Sequence, residues 1–259
     1  MARRVLILGA AGLLGRHVLG NQSSTEYVVS KTRISKNLNP QENACLLVSE
    51  ALDNQCDGIL FLAWSSNSNL NYDQVDQHGL WVSICVQTAI LSIENAIHLF
   101  LVGTCLDSNL MSPNYYIKAK SELRHLLSPQ IANESLTWFR PHYVFNFDPV
   151  RPRILQELLN SKKFTVHSPN SYQDYIFAQD VGLAITMSIE NDLYGNIDIG
   201  SGKQISNRSF IKIMAAYFNV VEPVFIENPE SKADIADMSR LRSIGWVPEK
   251  TLSFLSDFL

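Results

Sequence analysis

Three things are scarce in this chain of 259 residues, and each scarcity removes a class of function. There is no excess of positive charge. Lysine plus arginine number 21 against 25 aspartates and glutamates, a formal net charge of −4, so no global basic field points to nucleic acid. The four cysteines, Cys45, Cys56, Cys85 and Cys105, form no CxxC pair and show no His/Cys metal spacing. Reduced, mostly buried thiols and no metal site are therefore expected. Long apolar runs are missing as well. The most apolar later segment, residues 80–93, contains Ser83 and Gln87 and is too short to span a bilayer. The opening MARRVLILGAAG puts two arginines before an apolar run, as a signal peptide does. Glycines interrupt that run and it continues into fold pattern, so a mature cytoplasmic start is expected. The remainder, 46% hydrophobic and 18% charged, is an ordinary globular composition. Its length suits one large domain or a nucleotide domain with a small second lobe.

The strongest positive signal is VLILGAAGLLGRHVLG at the N-terminus. A buried-strand run leads into Gly9, Gly12 and Gly15, and a helix opens at Leu13 and Leu14. In such a triplet the first glycine allows a tight turn, the second lets backbone approach a pyrophosphate, and the third lets helix and strand pack closely. The helix N-terminus, with its unpaired N–H groups and dipole, then holds the anion. The motif predicts a bound dinucleotide. Arg16, directly after the third glycine, either helps hold phosphate or faces water.

Strand and helix patterns alternate over the first two thirds of the chain. Strands are expected at 5–8, 27–30, 58–63, 99–103, 137–140 and 195–199, most of them near-continuous apolar runs. Helices are expected at 15–21, 43–54, 73–95, 115–127 and 180–190. This rhythm predicts an α/β fold, a Rossmann-type doubly wound parallel sheet. After Arg140 the texture changes, with prolines at 141, 149, 152 and 169, helices at 153–160 and 207–219, and an irregular tail from about 221. The expected division is a Rossmann domain over 1–146 and 175–202, with a small substrate-binding lobe made of 147–174 and 203–259.

Tyr116 and Lys120 lie four residues apart in NYYIKAKSEL, on one face of a helix. A neighbouring ammonium lowers a tyrosine pKa from about 10 toward the range where it can exchange a proton. Tyr115 competes for the role but has Ala119 four residues on. Thr104 ends the strand LFLVG about a dozen residues earlier, and ligands of open α/β sheets bind along the C-terminal strand edge. Its hydroxyl can reach the same reacting oxygen as Tyr116.

Glycine triplet, threonine and Tyr-xxx-Lys in this order resemble the extended short-chain dehydrogenase/reductase superfamily, in particular its NAD(P)-dependent nucleotide-sugar epimerase/dehydratase group. Other segments resemble the same family: ILFLAW at 59–64 its fourth strand, WFRPHYVF at 138–145 its "RPxNVYGP", DYIFAQDV at 174–181 its "DFIHVDDV", NIDIGSG at 196–202 its "NIGSG", and SRLRSIGWVP at 239–248 its closing "LGWxP". The resemblance covers nearly the whole chain. It implies that Tyr116 is the acid/base, that Lys120 also holds the nicotinamide ribose, and that Thr104 orients the substrate. It further implies cofactor contacts from Leu62, Ala63 and Trp64, although Trp64 has an equally good packing role. Helices 73–95 and 115–127 resemble the pair that forms a four-helix homodimer interface in the family, with Leu80, Trp81, Ile84 and Ala89 as candidate contacts, some of which must face the sheet.

Departures from the family narrow the chemistry. Its dehydratases follow the threonine with Asp-Glu, and related decarboxylases keep a Glu two residues after it; here Cys105 and Leu106 follow Thr104. Water elimination and decarboxylation are therefore not expected. Cys105 is one residue off the register of the family's catalytic cysteine, which favours a packed thiol, though it stays among the candidate substrate contacts. The tip of the second strand reads YVVSKTRIS and offers Ser30, Lys31 and Arg33, with Glu26 at the wrong end. A hydroxyl and two cations suit a 2′-phosphate, so NADP(H) is the expected cofactor, with NAD as the alternative. The closest family pattern is that of short nucleotide-sugar reductases, whose strands end "VGTC" and "LAW". It implies reduction of a nucleotide-linked 4-keto-6-deoxy sugar in polysaccharide or glycosylated-metabolite synthesis. A 4-epimerase with tightly held NAD, a reductase of another carbonyl and a non-catalytic nucleotide sensor remain open. On the substrate side, Tyr143 stands for the usual Asn, Asn146-Phe147 for Gly-Pro, and Gln173 for the usual Arg, which Arg151 or Arg153 could replace. His142 either touches substrate or is structural.

Overall fold

Four stretches of the chain are apolar almost without interruption, as strands covered on both faces must be. In the computed structural model, which describes residues 3–64, 75–108, 110–111, 114–146, 165–219 and 223–249, they form the middle of a six-stranded sheet. They are β1 (Arg4–Leu8), β3 (Gly58–Phe61), β4 (His98–Val102) and β5 (Leu136–Pro141). The edges are β2 (Glu26–Val29) and β10 (Gly195–Ile199), whose burial alternates or is incomplete. The order is β10-β5-β4-β3-β1-β2, and β1 pairs in parallel with β2 and β3, β3 with β4, and β4 with β5. Parallel neighbours need crossovers. The helices α1 (Leu13–Gly20), α2 (Pro40–Asp53), α3 (Val75–Glu94) and α4 (Tyr115–Leu126) supply them, with a short α5 (Ser128–Ala132) before β5 and α6 (Ala178–Glu190) before β10. A capping box starts α2. The Asn39 side chain accepts from the Glu42 N–H, the Glu42 carboxylate accepts from the Asn39 N–H, and Pro40 stands at the first helical position.

The strand expected at 58–63 is β3, the third along the chain, and it ends at Phe61. Residues 31–39 are polar and carry no apolar run, so the chain goes from β2 through α2 directly to β3, and β2 is left at the edge. Because β2 and β3 flank β1 on opposite sides, the direction of winding reverses beside β1. Such a switch point opens a crevice at the C-terminal ends of the strands. The glycine turn sits there. Gly9 has φ of +90°, and a Cβ on it would lie 2.6 Å from the Ala63 nitrogen and 2.9 Å from the Leu62 carbonyl carbon. A Cβ on Gly15 would lie 2.4 Å from the Gly9 oxygen, so the third glycine lets α1 pack on the turn.

The chain divides into two compact units, Met1–Arg140 with Gly182–Ile197 and Pro141–Val181 with Asp198–Leu259. In the first, Leu6, Leu47, Ile59, Phe61, Leu99 and Trp138 form the core between sheet and helices. Ile84 and Ala89, candidate partner contacts on α3, are buried in this same core, because the helix turns that face toward the sheet.

In the second unit, β6 (Tyr143–Phe145) pairs in parallel with β9 (Tyr175–Phe177), so these two segments belong together and not to the Rossmann unit. They pack with α7 (Asn207–Tyr217) around Phe145, Phe177 and Phe210, and the rings of Tyr175 and Phe210 stack at 3.9 Å. The strands β7 (Thr165–Val166) and β8 (Ser171–Gln173) pair with β12 (Val224–Phe225) and β13 (Ser231–Lys232), and β11 (Ile205–Ser206) also pairs with β8. The tail is thus less irregular than expected, since it also holds α8 (Ser239–Ser243). The helix expected at 153–160 lies outside the described residues.

Replacing Gly9 with alanine combines a side chain at positive φ with a backbone clash. The expected loss is about 2 kcal/mol or more, read as a lower urea midpoint at unchanged slope.

Candidate active site

The turn from β1 into α1 has the properties an anion needs. Gly12 is the N-cap and offers no side-chain cap, and the first turn of α1 carries no acidic residue. The amide hydrogens at that end therefore meet no competing carboxylate of their own helix, as pyrophosphate binding requires. Arg16 folds back, its Nε donating to the Ala11 oxygen at 2.9 Å, which keeps a cation beside the turn. Leu62 and Ala63 follow β3 and form the backbone wall against which Gly9 packs. These residues fit a dinucleotide.

At the tip of β2 the arrangement is different from what the local sequence suggests. The Ser30 hydroxyl donates to Glu50 Oε2 at 2.6 Å, and the Lys31 and Thr32 amides donate to the same carboxylate at 2.7 and 3.2 Å. Burial works to raise the Glu50 carboxyl, but these hydrogen bonds outweigh it and hold the group below its ordinary range. Lys31 and Arg33 are exposed. Glu50 comes from α2, twenty residues after Ser30, so no local motif announces it.

The reacting end is built on β4 and α4. Asn114 caps α4, its side chain accepting from the Tyr116 and Ile117 amides at 3.0 and 3.2 Å, and Lys120 follows Tyr116 by one turn. Lys120 is buried, and its Nζ donates to the Val102 carbonyl at the end of β4 at 2.7 Å. The ammonium also lies 3.6 Å from the centre of the Trp64 ring and 5.9 Å from that of Tyr116. Burial pulls its pKa down to about 8, against opposing pulls from Cys85 and Asp107. At neutral pH Lys120 carries its proton.

Trp64 and Tyr116 meet edge to face at 6.2 Å, and the Trp64 Nε1–H donates to His78 Nδ1 at 3.2 Å. His78 is buried, and its ring is 6.0 Å from that of Tyr116. Neither the spacing nor any motif pointed to His78. Thr104 lies in the turn after β4, its Oγ1 accepting from the Leu106 amide at 3.4 Å and its carbonyl from the Asp107 amide at 3.1 Å.

Asp107 is a second residue that the sequence did not reveal. Its side chain is wholly buried and accepts from Arg124 Nη1 at 3.0 Å, Arg140 Nε at 3.1 Å and Trp138 Nε1 at 2.7 Å. Arg140 also donates to the Cys105 carbonyl at 3.2 Å. One carboxylate thus joins the turn carrying Thr104 to α4, which carries Tyr116 and Lys120, and to β5. The Asp-Glu pair sought directly after Thr104 is absent, and the carboxylate that does occur, three residues on, is occupied by two guanidinium groups. A usable signal lay only in the coincidence of two arginines and one aspartate near the site.

Cys105 is buried, and burial pushes its thiol up to about 12, so it is a packed, protonated group. In the second unit His142 is buried, with Nε2 3.9 Å from an Asp198 carboxylate oxygen. Tyr143 lies on β6, its ring 5.8 Å from that of Tyr175. Arg151 and Arg153 lie outside the described residues. Among the described residues no cluster of His, Cys, Asp or Glu could hold a metal ion, and no helix is long and apolar enough to cross a membrane.

The parallel sheet with its glycine turn at the switch point is a Rossmann-type fold. Solved structures of that fold match over essentially the full chain. The dTDP-4-dehydrorhamnose reductase of Bacillus anthracis, solved with NADP, is 16% identical, with 100% of this chain and 98% of that one covered and a TM-score of 0.75. The GDP-mannoheptose C4 reductase of Campylobacter jejuni, with NADP bound, is 14% identical over 99% and 98% of the chains, with a TM-score of 0.70. The UDP-glucose 4-epimerase of Thermus thermophilus, in complex with NAD, is 16% identical over 98% of both, also with a TM-score of 0.70. No protein-family model matches the chain, and no curated protein matches it by sequence.

Replacing Asp107 with asparagine leaves two guanidinium groups without their counter-charge in a buried setting. The expected destabilisation is about 3 kcal/mol, measured by chemical denaturation. A loss below about 1 kcal/mol would show that the clasp contributes little.

Proposed function

We propose that this chain is an NAD(P)-dependent oxidoreductase that reduces a keto group on a nucleotide-linked sugar. The observation that carries the reading is the assembly at the end of β4: the Lys120 ammonium bonded to the Val102 carbonyl, with Tyr116 one turn away on α4 and Thr104 on the adjoining turn. The matched folds with bound NADP or NAD support the dinucleotide, and their names support a nucleotide sugar.

When bound, a reduced nicotinamide would supply the hydride that the carbonyl carbon takes up. Tyr116 gives its phenolic proton to the carbonyl oxygen, and the Lys120 ammonium stabilises the phenolate that remains. Thr104 donates a hydrogen bond to the same oxygen as charge develops there. Lys120 would also hold the cofactor's ribose. The glycine turn and α1 would hold the pyrophosphate, and Lys31 and Arg33 would receive a 2′-phosphate, which makes NADP(H) the preferred cofactor and NAD(H) the alternative. The absence of an acid/base pair directly after Thr104 leaves no group for eliminating water. The second unit is the substrate-binding lobe in this reading, with His142, Tyr143 and Arg153 as its contacts.

The test is NADPH consumption against a panel of nucleotide-linked keto sugars. Tyr116→Phe is expected to lower kcat by about 10²–10⁴-fold, and Thr104→Ala by about 10²-fold, with both proteins still folded. Unchanged turnover in Tyr116→Phe would refute the catalytic assignment. Turnover without net cofactor consumption, with NAD retained through purification, would instead indicate epimerisation.

The pH profile is a separate check. Lys120 acts as the ammonium and loses its proton with a pKa of about 8. Activity is therefore expected to hold below that pH and to fall above it, on a limb that is absent in Lys120→Arg.

A further inference from the structure

The loop after β2 gathers three donors on one point. The Ser30 hydroxyl and the Lys31 and Thr32 amides all face the Glu50 carboxylate, at 2.6, 2.7 and 3.2 Å, and the Thr32 amide also donates to Ser30 Oγ at 3.2 Å. Consecutive amides flanked by a hydroxyl form an anion-binding concavity. Here the anion is a side chain of the protein itself, delivered from α2.

The position gives this arrangement its meaning. In doubly wound folds the tip of the second strand meets the adenine ribose, where a carboxylate accepts from the 2′-hydroxyl and a cation receives a 2′-phosphate. Both kinds of group are present in this chain. Lys31 and Arg33 are exposed cations on the loop, and Glu50 is a carboxylate bound to the loop's own donors. Glu26, the acidic residue on β2 itself, is at the strand's far end and paired with Arg4 at 3.1 Å.

We propose that Glu50 sets the discrimination between NADP(H) and NAD(H), by occupying from within the protein the donors that a 2′-phosphate needs. A phosphate entering the loop must displace the carboxylate from Ser30, Lys31 and Thr32, or lie beside it with like charge. A 2′-hydroxyl meets no such conflict and gains an acceptor. The cations and Glu50 therefore oppose one another, and the preference for the phosphorylated cofactor is smaller than Lys31 and Arg33 alone would give. This inference rests on the dinucleotide reading of the glycine turn and adds to it the residue that governs the choice.

The experiment needs no knowledge of the sugar substrate. Dissociation constants of NADP⁺ and NAD⁺ are measured by calorimetry on the full chain, for wild type, Glu50→Ala and Glu50→Gln. The ratio Kd(NAD⁺)/Kd(NADP⁺) is expected to rise about tenfold or more in Glu50→Ala, through tighter NADP⁺ and weaker NAD⁺. Glu50→Gln keeps an acceptor for the loop while removing the charge, so it moves the ratio the same way and decides the matter if the alanine variant does not fold. A ratio within threefold of wild type in the folded variants, or a shift toward NAD⁺, overturns the proposal. Wild-type protein that binds neither dinucleotide overturns the dinucleotide reading itself. Binding of both with an unmoved ratio overturns only the role of Glu50.

Discussion

The Asp107 carboxylate is the point on which the candidate site hangs. Alone it would be a severe liability, because an unpaired charge in the interior costs several kcal/mol. Two guanidinium groups and an indole N–H make it tolerable, and they come from two different elements. Arg124 lies on the helix of Tyr116 and Lys120, while Trp138 and Arg140 lie on the neighbouring strand. The backbone of Asp107 continues the turn begun by Thr104. Satisfying one buried charge therefore forces these elements into one register. Gly103 takes part in the same constraint, since a Cβ there would lie 2.4 Å from the Trp138 ring. The indole can cross to Asp107 only because that side chain is missing.

Lys120 poses the complementary problem, a buried cation with no carboxylate paired to it among the described residues. The Val102 carbonyl and the face of Trp64 supply the negative potential instead. Neither is a full charge, so burial prevails and the pKa settles at about 8. A more strongly paired lysine would stay charged over a wider range of pH. Trp64 is held in turn by the bond to His78, so the aromatic group around the ammonium is a continuous packing unit.

The second unit uses the same device with another carboxylate. Asp174 is fully buried and accepts from the Ser201 amide and hydroxyl, the Gly202 amide and the Ala236 amide, at 2.7, 2.6, 3.1 and 3.1 Å. It thereby fastens three separate stretches of chain. The segments resembling "DFIHVDDV" and "NIGSG" in sequence meet at this residue. Their shared role here is structural, and the departures at Tyr143 and Gln173 lie on β6 and β8 without disturbing it.

Where local geometry depends on neighbours along the chain, the sequence was sufficient. The glycine turn follows from one strand, one tight turn and one helix in succession, and Tyr116 and Lys120 follow from helical spacing alone. The sheet strands were legible because parallel strands are apolar throughout. Other features required the folded chain, because they join residues that only packing brings together. Glu50 reaches the tip of β2 from the next helix, Asp107 finds its arginines across seventeen and thirty-three residues, and His78 meets Trp64 from α3. Ile84 and Ala89 looked equally fit for a partner or for the core, and only the rotation of α3 on the sheet assigned them. Local backbone geometry and periodicity are written in order along a chain. The burial of charge is not, since its cost depends on which distant groups arrive to meet it.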